Sequence, residues 1–188
     1  MNKRFVVVSG LPASGKTTLA RQLAPLLGLP LIDKDDLLER LLETKGVGDA
    51  AWRRALSRES DGLLQEEARR STGAMITSFW KLPGMPQHSG TPIEWLSELS
   101  DSIVNVRCLC SAEIAAERFV RRTRHPGHLD ASRTYDDVLA SIRALPDPRS
   151  FNIGEVIDVD TAGPVVAGRL ADEIRSAFTR CLTQARML

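Results

Sequence analysis

The sequence has almost no charge of one sign to spare: 25 Lys and Arg residues face 24 Asp and Glu, a formal net charge of +1. That balance sets up no global field to gather long nucleic acid or an anionic membrane. Long apolar runs are missing too. The N-terminus, Met1-Asn-Lys-Arg-Phe-Val-Val-Val8, is basic at its start, but only four apolar residues precede Ser9-Gly10. Such a run is too short for a secretion signal and far too short to cross a bilayer. Cysteine is scarce, at three residues. Cys108 and Cys110 stand two apart on an expected strand and so share a face, but no further ligands at suitable spacing complete a zinc site. They read as reduced core thiols, and the expected compartment is the cytoplasm. Internal repeats, low-complexity tracts and heptad runs are absent.

An apolar share of 43% and a charged share of 26% over 188 residues suit one globular domain, 1–188, long enough to bury a core. Of the 25 basic residues, 20 are arginine, which meets phosphate and carboxylate with two parallel donors. Five apolar runs have strand length: Phe5–Ser9, Leu29–Asp33, Ala74–Phe79, Ile103–Leu109 and Glu155–Val159. Helical patterns separate them, over Gly15–Leu27, Asp36–Glu43, Ala50–Arg70, Ser111–Arg122, Tyr135–Ala144 and Pro164–Leu182. On the third of these, Trp52, Leu56, Leu63 and Leu64 are the expected buried positions. Strands alternating with helices predict an α/β fold with a parallel sheet, right-handed crossovers and helices on both faces. The breaks at Lys81–Pro92 and Arg124–Asp130 read as loops within one domain.

The first strand runs straight into Gly10-Leu-Pro-Ala13-Ser14-Gly15-Lys16-Thr17-Thr18. Glycines at 10 and 15 permit a backbone that turns successive N–H groups around a phosphate, and the helix beginning near Gly15 aims its positive end at the same anion. Lys16 can bridge the β- and γ-phosphates, and the Thr17 hydroxyl can ligate Mg²⁺. Gly10, Ala13, Ser14, Gly15, Lys16, Thr17 and Thr18 are therefore the expected contacts of ATP with Mg²⁺.

Together with Leu-Ile-Asp33-Lys-Asp35-Asp36-Leu near residue 30, this motif resembles the small P-loop kinases. They include shikimate, gluconate and chloramphenicol kinases, zeta-toxin sugar-nucleotide kinases and 5′-polynucleotide kinases. The resemblance implies a three-layer P-loop fold with a five-stranded sheet in the order 2-3-1-4-5 and a mobile lid. In a strand of period two, Asp33 and Asp35 share a face. By resemblance to the shikimate-kinase Asp-x-Asp pattern, Asp33 is assigned to magnesium and Asp35 to the acceptor hydroxyl as base. Helix capping is the competing use of these acids, and Asp36 is the expected cap.

From 118 to 133 the chain carries five arginines against one aspartate, in Arg118-Phe-Val-Arg121-Arg122-Thr-Arg124-His-Pro-Gly-His128-Leu-Asp130 and on to Arg133. This stretch resembles the lid of these kinases, whose arginines add positive charge at the transferring phosphoryl group and close out water. The resemblance puts Arg122 on adenine and Arg124 on the phosphates. His125 and His128 read as lid loop residues. Val159-Asp160-Thr161-Ala-Gly-Pro164 matches the loop that passes the adenine, with Pro164 on the base; Pro164 equally suits the first turn of the last helix.

The third strand ends in Thr77-Ser78-Phe79-Trp80 with no acid, and no Asn-Lys-x-Asp guanine motif occurs. Motor ATPases and GTPases lose support for that reason. The acceptor region is expected at about 45–60 and 79–95, with Trp80 and Lys81 on one wall and Trp52 and Arg54, with Arg53 between them, on the other. The leading expectation is an ATP-dependent enzyme placing phosphate on a hydroxyl of a small metabolite or antibiotic, as monomer or homodimer. A nucleotide or polynucleotide 5′-hydroxyl kinase, and a nucleotide-binding regulator or ATPase without an acceptor, are the alternatives.

Overall fold

The computed structural model describes residues 3–100 and 102–185. Met1 and Asn2 of the basic start lie outside the described residues. Five strands, β1 (Arg4–Gly10), β2 (Leu31–Asp33), β3 (Gly73–Thr77), β4 (Ile103–Leu109) and β5 (Glu155–Asp160), form one sheet in the order β2-β3-β1-β4-β5, every pair parallel. Six helices connect and flank them: α1 (Lys16–Leu27), α2 (Lys34–Lys45), α3 (Ala50–Arg70), α4 (Ala112–Arg121), α5 (Tyr135–Arg143) and α6 (Ala167–Ala185).

The period-two alternation of β1 decides the layers. Val6 and Val8 face α1 and α6, packing with Leu19, Leu23, Ile174 and Phe178. Phe5 and Val7 face the opposite side, with Leu64 and Ala68 of α3 and the rings of Trp80, Trp95 and Phe151. Both β1 faces are fully buried, which is why the strand reads as a continuous apolar run. A third cluster, Leu11, Ala115, Phe119, Val138 and Ile142, ties α4 and α5 to the loop after β1.

Several boundaries shift from expectation. β2 begins at Leu31 because the Pro30 carbonyl already accepts from Met75 N–H while proline itself donates nothing. β3 ends at Thr77: Phe79 O accepts from Thr91 N–H and Ser78 Oγ lies 2.5 Å from Thr91 Oγ1, so the chain leaves the ladder for its own loop. α2 begins at Lys34, since Asp33 accepts from Asp35 N–H and caps it. The cap is therefore Asp33, not Asp36. Trp52, expected buried on α3, is 40% exposed at its first turn and donates from Nε1 to Gly46 O, whereas Leu56 and Leu64 are buried as expected. Among the described residues no helix is long and apolar enough to cross a membrane.

Candidate functional site

The loop between β1 and α1 is shaped by backbone that side chains tolerate poorly. Gly10 has φ 138°, and a Cβ there would lie 2.4 Å from Cys108 O; Ala13 at φ 58° and Gly15 at φ 96° are left-handed. Gly15 begins α1 without a side-chain cap, so the first N–H groups of the helix point into the loop. Ser14 Oγ is buried with no hydrogen-bond partner among the described residues. Lys16 Nζ donates to Leu11 O at 2.7 Å and Gly10 O at 3.1 Å. Burial pushes its pKa down, with the negative charges of Asp35 and Asp33 acting the other way. A buried ammonium held only by carbonyls, uncapped N–H groups and an orphan hydroxyl fit a polyphosphate.

Thr17 Oγ1 donates to Asp33 Oδ2 at 2.9 Å. Burial, then the charge of Asp35, raises the Asp33 pKa to about 6. A hydroxyl and a buried carboxylate side by side suit a hard cation such as Mg²⁺, which would lower that pKa again. Asp35 differs from its neighbour. Burial works to raise its pKa, but the Arg124 guanidinium, with Lys16 and Arg122 behind it, holds the carboxyl below the usual range.

The lid stretch reaches this pair from far along the chain. Arg124 donates from one terminal nitrogen to Asp35 Oδ2 at 2.5 Å and from the other to Asp130 Oδ2 at 2.8 Å. Arg122 also meets Asp130, at 3.3 Å, and its guanidinium stacks 4.1 Å from the centre of the Phe119 ring. Beyond it a short 3₁₀ turn, Pro126–His128, docks on α2. Buried His128 lies 2.8 Å from Glu39 Oε1 through Nε2, a Cβ on Gly127 would strike Leu42, and His125 Nδ1 accepts from Gly127 N–H. Burial, then Arg124, pushes the His128 pKa down.

A single cavity of about 780 Å³ receives most of these groups, within the usual range for small-ligand sites. Of the residues expected from the sequence, Ala13, Gly15, Lys16, Thr17, Thr18, Asp33, Asp35, Arg122, Arg124 and Pro164 line it. Gly10 and Ser14 shape the loop from beneath.

Others do not reach it. Trp80 is 2% exposed, donates from Nε1 to Val8 O at 2.8 Å and stacks on Phe151 with ring centres 6.1 Å apart; it is core, because its indole caps the end of β1. Lys81 turns to Gln87 O, and Trp52 covers the 46–48 turn. Arg54 is exposed and outside the lining, while Arg53 faces in. Helical spacing carried that signal: Leu56, Ser60 and Leu64 mark the buried stripe of α3, and Arg53, three residues before Leu56, shares it.

Beside the 161–164 loop stands Arg118, which donates to Ala162 O at 3.0 Å. α4 stops at Arg121, and Arg122 adopts extended backbone as its C-cap, so its side chain turns toward Asp130. Asp130 and Arg133 of the expected lid and Thr161 of the expected adenine loop also line the cavity, though the sequence did not single them out as site residues.

A family model described as an AAA domain matches residues 5–145. An uncharacterized protein of Mycobacterium tuberculosis (strain ATCC 25618 / H37Rv) is 30% identical over 172 residues, covering 86% of this chain and 32% of that protein. The chain thus spans about a third of the length of the curated relatives it first matches. In three dimensions it is similar to a protein of Chloroflexus aurantiacus J-10-fl provisionally described as a kinase (TM-score 0.73, 22% identity, 95% of this chain and 97% of the other). It is also similar to shikimate kinase from Bacteroides thetaiotaomicron (TM-score 0.55, 18% identity, 98% and 99%). The matched family stretch holds the phosphate loop, the Asp33–Asp35 segment and the arginine-rich stretch through Arg133 together, and the chain belongs to this AAA-domain family.

Proposed function

We propose that the chain is an ATP-dependent phosphotransferase that moves the γ-phosphate onto a hydroxyl of a small molecule, with Asp35 as the base. The observation that carries this reading is one cavity lined jointly by Lys16, Thr17, Asp33, Asp35, Arg118, Arg122 and Arg124. ATP binding falls to the 10–18 loop, with Arg118 and Pro164 at the nucleoside end. Thr17 and Asp33 would hold Mg²⁺, which neutralises charge on the phosphates.

In the transfer, the acceptor oxygen forms a bond to Pγ as the bond from Pγ to the bridging oxygen breaks, and ADP leaves with that electron pair. The hydroxyl proton goes to an Asp35 oxygen. Arg124 keeps Asp35 ionised at neutral pH, so Asp35 orients the hydroxyl first and takes its proton late, as suits a loose transition state. Arg122 and Arg124 place positive charge where the phosphoryl oxygens gain it.

The test is ATP consumption by purified protein against pools of hydroxylated metabolites. Consumption should be slow until an acceptor is supplied, and Lys16→Ala should abolish it. Full-rate hydrolysis with no acceptor, indifferent to Asp35→Asn, would instead establish an ATPase.

A further inference from the structure

The segment after α4 runs alongside α2 and touches it at two points. Arg124 meets Asp35, His128 Nε2 lies 2.8 Å from Glu39 Oε1, and the members of each pair are 89 positions apart in the chain. Asp35 and Glu39 are four apart on α2 and share a face, so residues 124–128 lie along one turn of that helix in the same direction. The two contacts are not alike. Asp35 and Arg124 both face the cavity, and an ion pair open to solvent holds a long side chain only weakly. The His128 side chain is fully buried. The Glu39 carboxylate accepts, so Nε2 carries the proton, and Nδ1, buried without a partner among the described residues, keeps its lone pair.

The chain around His128 is shaped to hold this position. Pro126 fixes φ at the start of the 3₁₀ turn, and His125 Nδ1 accepts from Gly127 N–H. Gly127 lies so close to α2 that a Cβ there would be 2.5 Å from Leu42 Cδ1. Leu129 follows in the left-handed region at φ 59°, although its own side chain is exposed. Strain of that kind persists only where the surroundings over-determine it. Burial of Leu129 does not offset it. The turn that Leu129 makes brings Asp130 back to Arg122 and Arg124.

We propose that His128 and Glu39 are positioning residues of this site: their hydrogen bond docks residues 124–128 on α2 and so sets Arg124 against Asp35. Neither lines the cavity, so both act through Arg124. Residues 124–130 and α2 then move as one body, and the arginines reach the phosphates together with the acid that faces the acceptor hydroxyl. This rests on the phosphotransferase reading above.

Glu39→Ala removes the accepting oxygen at a partly exposed position, and Glu39→Gln keeps one. Amide hydrogen exchange of the ligand-free protein reads the docking. Exchange at residues 127–129 should speed about tenfold or more in Glu39→Ala and stay near wild type in Glu39→Gln and in Glu43→Ala, one turn further along α2. Unchanged exchange in Glu39→Ala overturns the docking. Melting temperatures of Glu39→Ala, Arg124→Ala and the double variant read the coupling. The double variant should lose less than the sum of the single losses, and additive losses overturn the positioning. On whichever pool of hydroxylated metabolites yields product, Glu39→Ala should lower kcat about tenfold with the KM for ATP unchanged, and Glu39→Gln should recover it. A wild-type kcat in Glu39→Ala overturns the positioning and leaves the kinase standing. If no pool yields product, the kinase reading fails, and exchange and melting decide the docking and the coupling by themselves.

Discussion

Arg124 and Asp35 are 89 positions apart in the chain and 2.5 Å apart in space. The two form one ion pair, so if Asp35 is the base, as proposed, Arg124 sets its ionisation. In Arg124→Ala the Asp35 carboxyl rises from its depressed position. As the proposed base Asp35 must be ionised, so the acid limb of kcat/KM against pH should move to higher pH, and kcat at neutral pH should fall about 10²–10³-fold. A pH–rate profile with an unmoved acid limb would remove Asp35 from the role of base.

Arg118 and Arg122 should separate in steady-state kinetics. Arg118→Ala loses the group beside the 161–164 loop and should mainly raise the KM for ATP. Arg122→Ala removes charge that bears on Lys16 and Asp35 and should mainly lower kcat. The opposite split would return Arg122 to the nucleoside end.

As the proposed Mg²⁺ ligand, Asp33 would exchange stability for metal binding. Its folded pKa of about 6 lies above the ordinary 3.8, so the folded state holds the proton more tightly and ionising Asp33 costs stability as pH rises through 6. Asn keeps the helix cap without the charge. Asp33→Asn should therefore melt higher than wild type above about pH 6, by up to about 3 kcal/mol. The gain should disappear as pH falls toward 4, while Mg²⁺-dependent turnover is lost at every pH. Thermal melts across pH, without metal, check this.

Lys34 stands between the two acids and is clamped from outside the site, 2.6 Å from Asp61 on α3 and 3.1 Å from Thr91 Oγ1, with both charged side chains largely buried. Lys34→Met strands Asp61 and should cost about 3–5 kcal/mol in denaturant unfolding. Lys34→Met with Asp61→Leu should recover most of it. A double variant no more stable than the single would show that the pair does not act as a unit.

Trp80→Phe tests the reassignment of that ring to the core. Losing the Nε1 bond strands the Val8 carbonyl and should cost about 1–3 kcal/mol of stability. The KM for the acceptor should not change. A tenfold rise in that KM would restore Trp80 to the binding wall.

By itself the sequence determined the alternation of strands and helices, the phosphate loop and the placing of Asp33 and Asp35 beside it. Each is encoded by residues adjacent in the chain: β1 must be apolar on both faces, Gly10 must clear Cys108 O, and Lys16 and Thr17 follow in the same turn. The sheet order came from resemblance, and the β-ladders bear it out. What the tertiary structure decided was which of two neighbouring candidates faces the cavity. Asp33 rather than Asp36 caps α2, Arg53 rather than Arg54 turns inward, and Arg118 rather than Arg122 reaches the 161–164 loop. Trp80 goes to the core because the chain after β3 folds back on Thr91 and lays the indole over Val8. One residue on a helix is a 100° turn, and composition cannot tell adjacent arginines apart. Only the packing of α3 and α4 against the sheet fixes that angle, because the buried stripe of each helix must face apolar surface before its polar residues can be assigned a direction.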